Sequence, residues 1–232
     1  MIRIPEPELM ERPSQVKAYA EADFGSGDKD LIIRLKKFIA DIGRNHDSIT
    51  RIIDLGCGPG NISERLALEW PEAEVLGVDG STTMLDMARF RRKQHQMKSE
   101  RLNGLNYCLA DIALIPNNTS LIKGPFDVVV SNSLIHHIHR PEIFWKAVKC
   151  LSSPGTIIFH KDLRRPATMK EAIDLQRKYL PKAPEILVND FLASLQAAFT
   201  CQEISFQLRM AGLDKVKVIE QEERYLQING IF

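Results

Sequence analysis

The chain has 232 residues, 44% of them hydrophobic and 26% charged, and this size and composition are typical of one globular domain. Its 31 Lys and Arg residues nearly balance its 30 Asp and Glu residues, so the strong basic surplus of many nucleic-acid-binding proteins is missing. The four cysteines are widely spaced without a C-x-x-C pair, so we expect neither a zinc site nor a disulfide framework. No apolar leader and no run of roughly 20 apolar residues is present. We therefore expect a soluble cytoplasmic protein without a membrane span.

The first 45 residues are predicted to form an irregular arm followed by helices. Three prolines within residues 1–13 discourage a helix there. Residues 14–24 are a short helical candidate that the segment 25–27, Gly-Ser-Gly, is expected to end. Apolar positions spaced by about 3.6 residues then predict a helix over 30–42.

From residue 51 onward, apolar strands alternate with amphipathic helices. Such an alternation with short connections predicts a parallel sheet that is covered by helices on both faces. Ligands of these sheets bind beyond the carboxyl ends of the strands, and here those ends carry glycines, acids, serine and asparagine. The predicted strands are 51–56, 74–79, 105–109, 126–131 and 155–160, and the predicted helices between them are 61–69, 81–96 and 141–150.

The part after the fifth strand is predicted to be helical, with two strands at the end. Thr200 and Glu203 have the spacing of a capping box at the start of the third helix. The last two strands are predicted to form a hairpin that completes the sheet. The predicted helices are 168–179, about 190–199 and 200–211, and the predicted strands are 215–219 and 225–228.

The stretch RIIDLGCGPGN, residues 51–61, ends a predicted strand in an acid and three alternating glycines. A phosphate-binding loop needs G-x-x-x-x-G-K-[ST], which is absent, and a dinucleotide loop prefers G-x-G-x-x-G, whereas Gly56, Gly58 and Gly60 are one residue short of it. Asp79 ends the second strand, where a carboxylate accepts both hydroxyls of a ribose. The pattern therefore indicates an adenosine ligand without indicating a phosphate.

The sequence D-L-G-C-G-P-G resembles the first motif of class I S-adenosylmethionine-dependent methyltransferases. The resemblance extends in the family's order over about residues 50–160. It implies a Rossmann-like, doubly wound α/β fold with a mostly parallel seven-stranded sheet, S-adenosylmethionine as cofactor and S-adenosylhomocysteine (SAH) as its product. The other matching segments are Asp79-Gly80-Ser81 with Met84-Leu85, Asp111-Ile112, residues 126–132 and Pro154-Gly155.

The resemblance also implies roles for individual residues in holding the cofactor. Asp111 has an alternative role as a turn or helix cap, and Tyr19, in the N-terminal helical candidate, has an alternative in simple packing. By resemblance, Gly56, Cys57, Gly58 and Gly60 line the methionine end, Asp54 suits its ammonium group, Asp79 binds the ribose beside Gly80, Ser81 and Met84, Asp111 and Ile112 lie at the adenine, Asn132 approaches the sulfonium, and Tyr19 closes the methionine end.

The segment SNSLIHHIHRP, residues 131–141, follows the fourth strand and is expected at the entrance for the methyl acceptor. It lacks the N/D-P-P-Y sequence of families that methylate exocyclic amines, and it resembles methyltransferases that act on small molecules. His136 and His137 are candidates for a general base, and His136 is favoured because it would fall nearer the cofactor; packing is the alternative. The adjacent histidines do not predict a metal site, because no acid or cysteine nearby completes a ligand set.

The charged segment 161–166, KDLRRP, follows the fifth strand at the same edge of the sheet. Its charges either bind an anionic acceptor or pair with one another and cap helices, and Asp162 is the residue to test. The helices of 14–42 and 167–200 are expected to form a lid over the acceptor.

These observations predict a single methyltransferase domain over 1–232, with an arm over 1–45, a cofactor-binding core over 50–160 and a lid with final strands over 161–232. The predicted function is methyl transfer to a small molecule. A protein or RNA methyltransferase, a catalytically inactive cofactor-binding partner subunit and, more distantly, a nicotinamide dehydrogenase are the alternatives. The sequence leaves the acceptor and the oligomeric state open.

Overall fold

A computed structural model describes residues 1–6, 25–96, 100–118 and 120–232. The predicted helix over 14–24, and with it Tyr19, lies outside the described residues. Residues 1–6 have no regular secondary structure, as expected for the arm.

The centre of the fold is a seven-stranded sheet with the order β3-β2-β1-β4-β5-β7-β6. The first five strands run parallel, and β7 lies antiparallel between β5 and β6. The predicted doubly wound, mostly parallel sheet is therefore confirmed. The strands are β1 Arg51–Leu55, β2 Glu74–Asp79, β3 Leu105–Leu109, β4 Val128–Asn132, β5 Ile157–Leu163, β6 Lys217–Gln221 and β7 Tyr225–Ile231.

Seven α-helices and four short 3-10 helices are found in the described parts of the chain. None of these helices is both long enough and apolar enough to cross a membrane. The α-helices are α1 Gly25–Asp41, α2 Asn61–Glu69, α3 Thr82–Gln96, α4 Pro141–Cys150, α5 Met169–Tyr179, α6 Glu185–Ala197 and α7 Cys201–Met210, and the 3-10 helices are His46–Ser48, Glu100–Leu102, Ile112–Asn117 and Ile135–His137.

Both faces of the sheet are buried under helices, because successive strand residues point to opposite faces. On β5, Ile158 belongs to the core that contains the buried residues of α4 and α7. Its neighbours Ile157 and Phe159 belong to the core that contains the apolar faces of α1 and α2. Strands β1, β4 and β5 are therefore largely buried on both sides, as the continuous hydrophobic run of β4 predicted for that strand, whereas the edge strand β3 is partly exposed.

Several predicted boundaries are wrong, among them those of β4, β6 and β7, and three others show a physical reason. Helix α1 begins at Gly25 and includes the three residues that were expected to break a helix. Glycine is tolerated there because the first N–H groups of a helix have no intrahelical partner. Asp28 supplies the acid that is favoured in a first turn. Strand β5 continues to Leu163 because β7 pairs with its last residues. Helix α6 begins at Glu185, directly after its N-cap Pro184, whose carbonyl oxygen accepts hydrogen bonds from the N–H groups of Leu187 and Val188.

The capping box at the start of α7 is confirmed and gives a test of local stability. The Thr200 side chain accepts a hydrogen bond from the Glu203 N–H at 3.2 Å, and the Glu203 carboxylate accepts one from the Thr200 N–H at 2.7 Å. We expect Thr200→Ala to lower the free energy of unfolding by about 1 kcal/mol, measured by urea denaturation. Thr200→Ser keeps the acceptor and should stay within about 0.5 kcal/mol of the parent; an equal loss in both variants would contradict the capping role.

Candidate functional site

A cavity of about 650 Å³ opens at the carboxyl ends of β1, β2, β4 and β5, the edge of the sheet at which the sequence predicted the site. Nearly all predicted site residues in the described chain line it. They are Asp54, Gly56, Cys57, Gly58, Asp79, Gly80, Ser81, Met84, Asp111, Ile112, Asn132, His136 and His137.

The glycine turn after β1 depends on backbone geometry that other residues rarely adopt. Gly56 has a φ of 65°, and a Cβ there would lie 2.4 Å from Leu134 Cδ1, so only glycine fits this position. Gly58 has a φ of 52° and open space where a Cβ would point, and its N–H donates to Asp79 Oδ2 at 2.8 Å. The turn thus brings bare backbone to the cavity wall.

Gly60 corrects the prediction, because it does not line the cavity. It precedes α2 with a φ of 85°, and a Cβ there would lie 2.3 Å from the Tyr107 hydroxyl oxygen. Position 60 needs a glycine because the Tyr107 side chain of β3 lies close to the start of α2. The first two glycines of the motif face the cavity and the third serves packing.

Three carboxylates gather around this turn: Asp28 from α1, Asp54 from β1 and Asp79 from β2. Asp54 is 1% exposed and accepts a hydrogen bond from Ser63 Oγ at 2.6 Å. Burial raises the pKa of Asp54 to about 7, and the nearby Asp79 and Asp28 add to the effect, against the bond from Ser63. Burial also raises the pKa of Asp28 and of Asp79. This end of the cavity is suited to a positively charged group.

Asp79 has both carboxylate oxygens fixed by backbone donors. Oδ2 accepts from Gly58 and Oδ1 accepts from Ser81, both at 2.8 Å. A carboxylate oxygen can accept more than one hydrogen bond, so Asp79 has capacity left for the hydroxyls of a ligand.

Asp111 lies on the cavity wall and caps the 3-10 helix Ile112–Asn117, where its side chain accepts a hydrogen bond from the Ala113 N–H at 2.8 Å. The cap that the sequence offered as an alternative is therefore present. Contact with adenine stays a prediction.

His136 is buried and is held by Asp162, the residue that the sequence singled out for testing. His136 Nδ1 lies 2.5 Å from Asp162 Oδ1. Asp162 also accepts from the N–H groups of Ile135, His136 and Leu163 at 2.5, 3.2 and 2.6 Å. Burial opposes a charged imidazole, but Asp162 and Glu6 outweigh it, so the pKa of His136 is raised. Asp162 therefore orients His136 and caps its 3-10 helix.

The other charges of the segment 161–166 pair with residues on other elements and not with one another, so the second of the two alternatives is wrong about their partners. Lys161 is 2% exposed, and its Nζ lies 3.2 Å from Asp30 Oδ2 and 4.3 Å from the centroid of the Tyr225 ring. Arg165 pairs with Glu203 at 2.6 Å. These partners lie on other elements, which the sequence did not reveal.

Glu6 is a site residue that sequence reasoning missed. Its Oε1 lies 3.4 Å from His136 Nε2 and 3.5 Å from His137 Nδ1. Arg3 fixes the arm by donating to the carbonyl oxygens of His136 at 3.1 Å, Ile138 at 3.2 Å and Ala197 at 2.6 Å. No local pattern marks Glu6, because only the tertiary structure brings it to this wall.

The outer wall of the cavity comes from α5, α6 and the start of β7. Helices α5 and α6 belong to the segment 167–200 that was predicted as a lid, and its position over an acceptor stays a prediction. Helix α1, in the other predicted lid segment, 14–42, instead packs against the sheet, and only its first turn reaches the cavity. The lining residues of the outer wall are Tyr179, Leu180, Leu187, Asp190, Phe191, Ser194, Arg224 and Tyr225.

The chain resembles known proteins in both sequence and fold. A family model described as a methyltransferase domain matches residues 46–197, more than half of the chain. An uncharacterized methyltransferase of Schizosaccharomyces pombe is 33% identical over 115 residues, which are 48% of this chain and 39% of that protein. A trans-aconitate 2-methyltransferase of Rhodopseudomonas palustris is 46% identical over 67 residues, which are 29% of this chain and 22% of that protein. The chain thus spans less than half the length of either curated relative.

The solved structure of the plantazolicin methyltransferase BpumL, in complex with a pentazolic desmethylPZN analog and SAH, superposes with a TM-score of 0.71. The identity is 14%, over 95% of this chain and 91% of that chain. The two proteins share a fold.

The raised pKa of Asp54 predicts that this carboxylate destabilises the protein when no cation is bound. The pKa of Asp54 is about 7 in the folded state against an ordinary 3.8. The loss of folding stability that its ionisation causes therefore grows as the pH rises from about 4 to about 7, and reaches its full size above about pH 7. At about pH 8 we expect Asp54→Asn to raise the unfolding temperature by at least about 2 °C, corresponding to roughly 1 kcal/mol, measured by calorimetry, with a smaller gain at about pH 5.

The exposed Asp86, on α3, provides the matched control, since Asp86→Asn should change the unfolding temperature little at either pH. A gain for Asp54→Asn that is equal at both pH values, or a loss at about pH 8, would contradict the assignment.

Proposed function

The chain belongs to the methyltransferase-domain family, and from this premise we propose that it transfers the methyl group of S-adenosylmethionine to a small-molecule acceptor. The observation that carries the proposal is the glycine turn after β1 with Asp54 and Asp79 on either side. The cofactor has an ammonium group, a sulfonium and a ribose diol, and each has a matching partner at this edge of the sheet.

We assign the cofactor along the strand ends as the sequence predicted. Asp54 and the backbone of Gly56, Cys57 and Gly58 take the methionine end. Asp79 takes the ribose, because its carboxylate is already oriented by two backbone donors. The adenine lies beside Ile112, Asp111 and Met84, and the sulfonium faces Asn132.

A small acceptor is supported by the size and walls of the cavity. Cofactor and acceptor share about 650 Å³, a volume within the roughly 300–1,000 Å³ of small-molecule sites. The walls contributed by α6 are apolar at Leu187 and Phe191, with Asp190 and Ser194 as polar groups. The Rhodopseudomonas palustris relative is a trans-aconitate 2-methyltransferase, and BpumL, which shares the fold, binds a desmethylPZN analog together with SAH. The acceptor of this chain is assigned here only by class.

Methyl transfer is a displacement at a carbon that positive sulfur has already activated, so the protein mainly aligns the nucleophile with the methyl–sulfur bond and excludes water. His136 and His137 lie on the same wall as Asn132. They are the side chains that we propose to act on the acceptor, with Asp162 fixing the first of them. We also propose that the chain forms a single domain. We place it in the cytoplasm, because Cys57, Cys108, Cys150 and Cys201 are all free thiols.

A direct test is the binding of SAH by calorimetry to the parent, Asp79→Ala and Asp86→Ala proteins. We expect micromolar affinity in the parent, a loss of at least about 10-fold in Asp79→Ala because a ribose hydroxyl bonded to a charged group is worth about 1.5–3 kcal/mol, and no change in Asp86→Ala. Binding of NAD in place of SAH would favour the dehydrogenase alternative. SAH binding without methyl transfer from labelled S-adenosylmethionine to any tested acceptor would favour the inactive partner subunit.

Cofactor binding should also depend on the ionisation of Asp54. The cofactor ammonium favours the carboxylate form, so binding lowers the pKa of Asp54 below its value of about 7 and releases a proton. From about pH 8 to about pH 6 we expect SAH affinity to fall by up to about 10-fold, and calorimetry in buffers of different ionisation enthalpy should detect the released proton near neutral pH. In Asp54→Asn the affinity should be lower and the pH dependence flat. If SAH affinity in the Asp54→Asn protein changes with pH as steeply as in the parent, Asp54 is excluded as the titrating group.

A further inference from the structure

We propose that Glu6, His136 and His137 bind a divalent transition-metal ion, with zinc the best match, at the acceptor end of the cavity. One ligand atom from each residue lies within 4.8 Å of the others. The sequence disfavoured a metal because no acid lay near the histidines, and the fold supplies that acid from the N-terminal arm. Two imidazoles and one carboxylate form a ligand set found at catalytic zinc sites.

The distances from Glu6 to the two histidine nitrogens fit an ion better than direct hydrogen bonds. Two ligands at about 2.1 Å from a zinc ion, separated by a tetrahedral angle of about 109°, lie about 3.4 Å apart. Glu6 Oε1 lies 3.4 Å from His136 Nε2 and 3.5 Å from His137 Nδ1. A charge-assisted hydrogen bond would normally be about 2.7–2.9 Å long.

The carboxylate oxygen at the centre of this group also lacks a hydrogen-bond donor. Glu6 Oε1 is buried, and no donor among the described residues satisfies it. A buried carboxylate oxygen without a donor is costly, and the side-chain hydrogen bond between Glu6 and Ser194 leaves Oε1 unsatisfied. An ion between the carboxylate and the two rings would remove that cost.

Asp162 provides the outer support that metal-bound histidines usually have. Because Asp162 Oδ1 lies 2.5 Å from His136 Nδ1, it keeps the proton on that nitrogen and leaves the lone pair of Nε2 directed toward Glu6. Three backbone N–H groups hold the carboxylate in turn. On the other side, Arg3 fixes the arm to the carbonyl oxygens of His136 and Ile138. The ligands are therefore positioned in advance of binding.

Three protein ligands leave a coordination position for a group from the cavity, which both histidines line. This step rests on the proposed function and names the acceptor class: a hydroxyl or a thiol. Metal coordination lowers the pKa of such a group and its proton leaves to water. The lone pair of the resulting anion forms a bond to the methyl carbon while the carbon–sulfur bond breaks, and its electrons stay on sulfur as neutral SAH.

The test is a titration of untagged full-length protein with Zn²⁺ and Co²⁺ after treatment with a chelator. We expect one equivalent of either ion to bind, with a cobalt absorption spectrum of low coordination number. Glu6→Gln and His137→Gln should each weaken zinc binding at least about 10-fold, and Asp162→Asn by about 10–100-fold. His95→Gln is the matched control, because His95 pairs with Glu64 on another surface, and it should leave zinc affinity unchanged.

Absence of stoichiometric binding, or equal affinity in the parent, Glu6→Gln and His137→Gln proteins, would overturn the proposed site. The Glu6→Gln and His137→Gln variants keep the test decisive even where Asp162→Asn fails to fold. SAH titration of the metal-free protein separates this proposal from the proposed function. SAH binding without metal binding overturns the metal site alone, and metal binding without SAH binding overturns the methyltransferase assignment alone.

The acceptor class has its own measurement. Addition of the monothiol 2-mercaptoethanol to the cobalt-loaded protein should produce a sulfur-to-cobalt charge-transfer band, because a thiolate enters the open position. A spectrum that stays unchanged would overturn the coordination of the acceptor.

Discussion

The carboxylate of Asp162 connects the end of β5 to the segment that follows β4. It lies at the end of β5 and accepts hydrogen bonds from the N–H groups of Ile135, His136 and Leu163, while its Oδ1 faces the His136 ring. One side chain thus fixes the segment after β4 and the orientation of its imidazole. The N-terminal arm is in turn attached to that segment through Arg3, and to α6 through Arg3 and Ile4.

Much of the central fold could be predicted because local signals and tertiary structure agree there. Helices α2 and α4 and strands β2 and β3 have the predicted boundaries, since each is an apolar pattern bounded by a cap, a proline or a polar strand end. Asp54 and Asp79 were also identifiable, because acids that end neighbouring parallel strands meet at one edge of the sheet. The boundaries failed where a distant partner decides them, as β7 does for β5.

The parts that could not be predicted depend on contacts between residues far apart in sequence. Glu6 and His136 are separated by 130 positions, and no spacing rule connects them. Asp28 was hidden because the glycines before it suggested a break, while Gly60 carried the same motif signal as Gly58 although a tyrosine from β3 determines its identity. The glycine motif therefore predicts the turn correctly but does not show which of its residues line the cavity.

Strand β5 places opposite charges on opposite faces of one sheet. Lys161 points toward α1, where it pairs with Asp30, and Asp162 points toward His136. Because side chains alternate with a period of two, a one-residue insertion or deletion in β5 would exchange the buried cation and the buried anion. The length of β5 is therefore fixed more strictly than its residue types, whereas α5 and α6, whose side chains line the cavity, do not determine the register of the sheet.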